Sequence, residues 1–187
     1  DTQQLRGTCL PLKTSGHAFG DEIDRQPVGW EHVEVRVDTP ATTAEELIAA
    51  GINVGDWLAF DPNLEIQPNG YLTSRYLDDK AAVAALLSAC KAIVDAGIEP
   101  PVDVHPLFTI TEEVGSGASA ALHGDIAEMV SLDIAIAAPG QNTSEHCATI
   151  CMQDMSGPFD FHLTRKLIAL ADANGIPYRR DVFRFYR

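Results

Sequence analysis

Tyr71-Leu-Thr-Ser-Arg-Tyr-Leu-Asp-Asp-Lys80 decides how the rest of the chain is read. A short β-prone run ends in two adjacent acids, and a long apolar pattern begins at Lys80. Residues 80–96 predict a helix with Val83, Leu86, Leu87, Cys90, Ile93 and Val94 on one stripe, and Gly97 supplies its stop. A second run, Phe108-Thr-Ile-Thr-Glu-Glu-Val-Gly115, again ends in two acids and then turns to glycine. Residues 102–111 read as a strand, although Pro106 argues against a central ladder position at that point. A strand, a helix and a strand make a parallel crossover. Asp78-Asp79 and Glu112-Glu113 then meet at the rim of a parallel sheet, where open α/β sheets form their crevices.

Outward from this unit the α/β pattern continues. Leu132-Asp-Ile-Ala-Ile-Ala-Ala138 is a short apolar run that suits a buried parallel strand. Residues 162–174 predict a second helix with Leu163, Leu167, Leu170 and Ala171 facing inward, ended by Gly175. Residues 178–186 read as a strand. Thr149-Ile150 between Cys147 and Cys151 suggests another, with both cysteines on one face as small apolar residues rather than zinc ligands.

Before residue 70 the chain reads as β-rich. Val33, Val35 and Val37 alternate with charged residues, the mark of a half-buried strand. Thr43-Ala-Glu-Glu46 is a capping box that opens a short helix, which Gly51 ends. Residues 55–60 read as a strand, and Asn69-Gly70 as a turn. The expected architecture is therefore α/β: part of a mixed, largely parallel sheet flanked by helices, preceded by a small β-rich, barrel-like segment. The boundary is expected near Pro68-Asn69-Gly70, giving residues 1–69 and 70–187.

The bulk numbers narrow the function. The 187 residues carry a formal charge of −14 and 21 % charged residues. Nucleic acids and anionic membranes recruit clustered Lys and Arg, so neither is an expected partner. No apolar run is long enough to cross a bilayer, and no signal peptide is visible at residue 1. Four irregularly spaced cysteines fit a reducing cytoplasm.

Four acids in one crevice repel one another unless a cation sits among them. A lone Asp-Asp at a helix start is most simply a favourable partner of the helix dipole. A Glu pair alone is most simply surface. Both pairs at strand ends favour a metal site with one spare carboxylate acting as base. Ser116 and Ser119 lack the paired His and Asp of a serine nucleophile, and Gly115-Ser-Gly117 lacks a phosphate-loop lysine. His17, His32, His105, His123, His146 and His162 are each read as surface or locally bonded.

Ser74-Arg-Tyr-Leu-Asp-Asp-Lys80 together with Thr109-Ile-Thr-Glu-Glu-Val-Gly115 resembles the glutamyl-aminopeptidase and TET-type family of dinuclear metallo-aminopeptidases. Ala50-Gly-Ile-Asn-Val-Gly-Asp56 extends the likeness into the segment before Tyr71. Residues 15–24, 138–142 and 157–163 resemble a narrower branch, bacterial peptidases associated with the osmoprotectant N-acetylglutaminylglutamine amide.

The resemblance implies a role for each residue. Asp78 would bridge two metals, and Asp79 would shape the turn through a cis Asp78–Asp79 peptide bond. Glu112 would be the general base toward the attacking water, and Glu113 would ligate one metal. The family's next acidic ligand would fall near Pro139, which cannot ligate, so Glu145 is the expected replacement and Asp133 and Asp154 weaker ones. Its two His ligands would lie before residue 1 and after residue 187, which makes the chain a middle piece of a longer protein. The implied cofactor is two divalent ions, zinc first, then cobalt or manganese. The implied partners are a peptide or small amide substrate and further copies of the chain in a homo-oligomer. The implied activity is a cytoplasmic aminopeptidase. The alternatives are a carboxypeptidase or N-deacylase of the same clan, or an inactive piece that serves only in assembly.

Overall fold

A computed structural model describes residues 4–185. The chain divides into two compact units, Asp1–Phe60 and Asp61–Arg187.

In the first unit, β1 (Gly7–Pro11) precedes a short helical turn, α1 (Gly16–Phe19), and then β2 (Val33–Val37). The two strands pair antiparallel with Cys9 opposite Val35. Helix α2 (Ala44–Ala49) starts where the sequence places it. The Thr43 side chain accepts from Glu46 N at 3.2 Å, while Glu46 reaches back to Thr43 N. That reciprocal bonding satisfies two orphan amides of the first turn. Bonds from the Thr42 backbone and hydroxyl, and then from Thr43 N, hold the Glu46 carboxyl below its ordinary range.

The expected barrel-like arrangement is not seen among the described residues. The first unit has a two-stranded sheet that does not close. Residues 55–60 join no ladder because local bonding captures their start: Asp56 Oδ2 accepts from Asn53 N at 2.7 Å, and Gly55 sits at φ +99°. A local side-chain-to-backbone bond of this kind competes with strand pairing.

In the second unit, β3 (Glu65–Ile66) and β4 (Leu72–Thr73) make a minimal hairpin. The expected turn at Asn69-Gly70 closes it, with Gly70 at φ +89° and Asn69 Oδ1 accepting from Tyr71 N. Helix α3 spans Leu77–Asp95. Gly97 ends it in the left-handed region, and Ile98 N reaches back to Ile93 O at 3.1 Å. This is the Schellman arrangement. Its apolar stripe is poorly covered: Leu86 and Cys90 are half-buried, while Val83, Leu87, Ile93 and Val94 are exposed.

The packed part of this unit lies further on. β5 (Ala148–Asp154) pairs antiparallel with β6 (Gly157–Pro158) and parallel with β7 (Tyr178–Val182). Helix α4 (Phe161–Ala173) connects them as a crossover, capped by Asp160, whose side chain accepts from Leu163 N at 2.7 Å. The sheet is mixed, with one parallel pair, rather than largely parallel. Thr164, Ile168 and Ala171 are the buried residues of α4, joined in the core by Phe183. Leu163 and Leu167 are half-buried, and Leu170 is exposed. The expected inward face is therefore rotated toward Ile168.

Residues 102–111 and 132–138 form no ladder among the described residues. Parallel strands gain their hydrogen bonds only from neighbours far apart in sequence. β5 and β7 have each other and a packed crossover helix. The two runs near α3 have neither, and Val104, Ile110 and Leu132 stand exposed.

Candidate functional site: a carboxylate cluster beside helix α3

Backbone geometry sets Asp78 and Asp79 apart from the helix that follows. Tyr76 takes the left-handed conformation at φ +66°, and Asp78 (ψ 107°) and Asp79 (ψ 36°) are non-helical. The Asp78–Asp79 peptide bond is cis, as expected. Upstream, Arg75 is tied to the segment before β3: its N donates to Pro62 O and its guanidinium to Asp61 O, both at 2.7 Å. Downstream, Asp79 Oδ1 accepts from Ala82 N at 3.3 Å. Asp79 therefore caps the regular part of α3, satisfying an amide that the first turn leaves open.

Glu112 and Glu113 sit in a single 3-10 turn, Glu112–Val114, that Gly115 closes at φ +82°. Ser116 N and the Thr111 hydroxyl lock the loop: Ser116 N donates to Thr111 O at 3.0 Å, and Thr111 Oγ1 donates to Ser116 O at 3.1 Å. Gly117 is required here. It sits at φ +142°, and a Cβ would fall 2.9 Å from the Thr109 side chain. The Ser116 hydroxyl is spent on Thr111 Oγ1 at 3.0 Å, which suits a loop strut.

Electrostatics show that the two acid pairs are brought together. The Glu113 carboxyl is raised above its ordinary value, first by the charge of Asp78, then by burial, and further by Glu112, Asp133 and a side-chain hydrogen bond to Asp78. The Asp79 carboxyl is also raised, first by burial. The Ala82 amide opposes this, and the charges of Asp133, Asp78 and Glu112 add to it. One neighbourhood thus holds Asp78, Asp79, Glu112, Glu113 and Asp133. Carboxylates this close destabilise one another's charged forms.

Glu145 lies elsewhere in the second unit, exposed in the turn before β5, and is not among the charges acting on Asp79 or Glu113. Asp133, the weaker candidate by sequence, is. Asp154 is half-buried at the end of β5, where its Oδ1 accepts from Ser156 N at 2.7 Å. The histidines keep local partners: His105 stacks edge-on against His123, His123 contacts Asp125, and His162 stacks against Phe161. Among the described residues, no group of three or more His, Cys, Asp or Glu side chains is arranged to hold a metal. What could take a cation is narrower: an all-oxygen pair, Asp78 and Glu113, whose mutual repulsion a cation would relieve.

Sequence reading missed a second anchor, Asp181. Its Oδ2 accepts from Asn142 N (2.8 Å), Thr143 N (2.9 Å) and Thr143 Oγ1 (2.8 Å), and Oδ1 accepts from Val182 N (2.9 Å). Burial pushes this carboxyl up, but the four bonds outweigh it and leave it below its ordinary range. The signal available in the sequence was an acid at an inward position of an alternating strand, opposite the polar run Gln141-Asn-Thr143.

Comparison with known proteins follows the same residues. The chain matches the M42 glutamyl aminopeptidase family over residues 1–187. It is 36 % identical over 180 residues to a Bacillus subtilis (strain 168) protein named "Putative aminopeptidase YhfE". The match covers 96 % of this chain and 52 % of that relative, so the chain spans about half the length of the curated protein it resembles. The aligned region takes in both acid pairs and the loops that hold them, and the chain belongs to the M42 glutamyl aminopeptidase family.

Proposed function

We propose that the whole protein is a metal-dependent aminopeptidase that hydrolyses N-terminal peptide bonds, with this chain supplying the acidic part of its centre. The observation that carries the reading is the mutual electrostatic influence of five acids, with the charge of Asp78 the largest one on Glu113. Peptidases of this family are generally metal-dependent. In this reading Asp78 and Glu113 would hold the divalent ions, zinc being the first choice for hydrolytic chemistry. Glu145 or Asp133 supplies a further oxygen, and the electrostatic placement favours Asp133. Bound ions would polarise the scissile carbonyl and lower the pKa of the attacking water.

The chain's own residues do the rest. Glu112, on the turn that the Thr111–Ser116 bonds close, accepts a proton from the attacking water and passes it to the leaving amine. Asp79 fixes the start of α3 through Ala82 N and so fixes the direction of Asp78. The finer branch, peptidases of the N-acetylglutaminylglutamine amide system, is supported by residues 15–24, 138–142 and 157–163. A cytoplasmic setting accords with four free cysteines. Homo-oligomer formation accords with the exposed apolar residues of α3.

The test is a substrate panel on the full-length protein, comparing free-amine peptides with N-acyl amino acids, before and after chelation. Cleavage of free-amine peptides that disappears with chelator and returns with zinc supports the reading. Preference for N-acyl amino acids would transfer the protein to the deacylase alternative.

A further inference from the structure

Two Asn-Gly pairs occur in the chain, Asn69-Gly70 and Asn174-Gly175. The dipeptide matters because glycine, having no side chain, leaves its amide nitrogen unshielded beside the asparagine. That nitrogen can attack the side-chain amide carbon and close a five-membered ring. All four residues are exposed, so access to solvent does not separate the two pairs. Their bonding does.

Asn174 ends helix α4, and the helix engages the groups that the reaction needs. Its N and Nδ2 both donate to Leu170 O, at 3.2 and 2.8 Å. Gly175 N donates to Asp172 O at 3.3 Å, and Ile176 N reaches back to Ala171 O at 2.9 Å. The attacking nitrogen and the leaving nitrogen are therefore both held, on a helix whose Ile168 and Ala171 are in the core. Freeing them means unwinding a packed helix end.

Asn69 is bound the other way round. It sits in the connection Pro68-Asn69-Gly70 between β3 and β4, with Gly70 at φ +89° and open space where a Cβ would stand. Its oxygen is the engaged atom: Oδ1 accepts from Tyr71 N at 3.2 Å. A donor on that oxygen draws electrons from Cγ and stabilises the charge that the oxygen gains on attack. Gly70 N donates to Gln67 O at 3.0 Å and must leave it to react. Strands of two residues each, all exposed, oppose that opening, and a hairpin so short opens readily.

We propose that Asn69 is a self-modification site: in the folded protein it converts through a succinimide to aspartate and isoaspartate, while Asn174 is spared. Gly70 N gives its proton to a solvent base and attacks Asn69 Cγ. The N–Cγ bond forms, the Cγ–Nδ2 bond breaks, and Nδ2 takes a proton and leaves as ammonia. Water then adds to one of the two ring carbonyls and breaks its bond to nitrogen, which regains a proton. Opening at Cγ gives aspartate. Opening at the main-chain carbonyl gives isoaspartate, with one more carbon in the backbone of the turn. Either product adds a negative charge to a chain whose formal charge is already −14. The inference goes beyond the hydrolytic reading and uses none of its residues.

The test is ageing of the full-length protein at mildly alkaline pH, then peptide mapping with fragmentation that separates aspartate from isoaspartate. A second sample is aged in guanidinium chloride. In the folded protein, a gain of one mass unit should accumulate at Asn69 about tenfold or more faster than at Asn174, with ammonia released in step. Unfolded, the two should convert at comparable rates, because only the shared dipeptide remains. Asn69→Gln, which would have to close a larger ring, should remove the fast ammonia release. An intact Asn69, equal rates at the two sites in the folded protein, or the same gap in guanidinium would each overturn the proposal. The readout is independent of turnover, so a failed peptidase assay leaves it standing, and its own failure leaves the peptidase reading standing.

Discussion

Asp78 lies close enough to Glu113 for its charge to be the largest influence raising the Glu113 carboxyl. A raised carboxyl binds its proton more tightly in the folded chain than in the unfolded one. Its ionisation therefore costs stability as pH rises from the unfolded value, roughly 4.3 for Glu, through the higher folded value. Asp78→Asn removes that charge. The Glu113 titration, followed by carboxyl NMR, should move down toward its ordinary range. A Glu113 titration identical in Asp78→Asn and the parent chain would show that the two do not interact in solution.

Glu112→Gln in the full-length protein should keep the metal and lose turnover. The amide preserves shape but accepts no proton, and loss of a general base costs about 100- to 10,000-fold in rate. Metal content and kcat belong on the same sample. Near-parental kcat with full metal would take the base role away from Glu112.

Zinc titrated into residues 1–187 alone should not fill two tight sites. The described residues bring acids together but form no three-ligand group, and fixed geometry matters as much as charge for a transition metal. Isothermal titration gives the count directly. Two stoichiometric zinc ions, accompanied by cleavage of an aminoacyl anilide, would mean that the centre is complete within this chain and misplaced here.

Asp181→Asn should destabilise the second unit by about 1–3 kcal/mol, because an amide cannot replace both acceptor oxygens toward four donors. The pH dependence has the opposite sign to that of Glu113. The Asp181 carboxyl is lowered, so its contribution is present above the unfolded value of roughly 3.9. It is lost as pH falls through the lower folded value. Urea denaturation of parent and variant at neutral and acid pH should show the gap closing on acidification.

The sequence made local structure legible wherever short-range chemistry governs it. The capping box at Thr43, the turn at Asn69-Gly70, the stop at Gly97 and the helix after Asp160 are all set by residues within a turn of one another. The two acid pairs do influence each other's charge, but not at the rim of a parallel sheet as expected, since residues 102–111 pair with no strand among the described residues. The failures share a cause. Residues 55–60, 102–111 and 132–138 have strand composition, but a strand needs a partner that composition does not name. Where a nearer bond was available, as at Asn53 and Asp56, it prevailed. Asp181 escaped notice because three of its four donor groups belong to Thr143 and Asn142, 38 and 39 residues away.

Burial is concentrated around one crossover. The buried hydrophobic residues, Ile168, Ala171 and Phe183, belong to α4 and the run that continues β7. α3, though longer, has no buried residue. Resistance to local opening follows burial, so the chain is a patchwork in which amide protons near β5 and β7 exchange last. The arm bearing Asp78 breathes freely by comparison. Were metal to bind there as proposed, the geometry of the acid cluster would be set more by its ligands than by packing around α3.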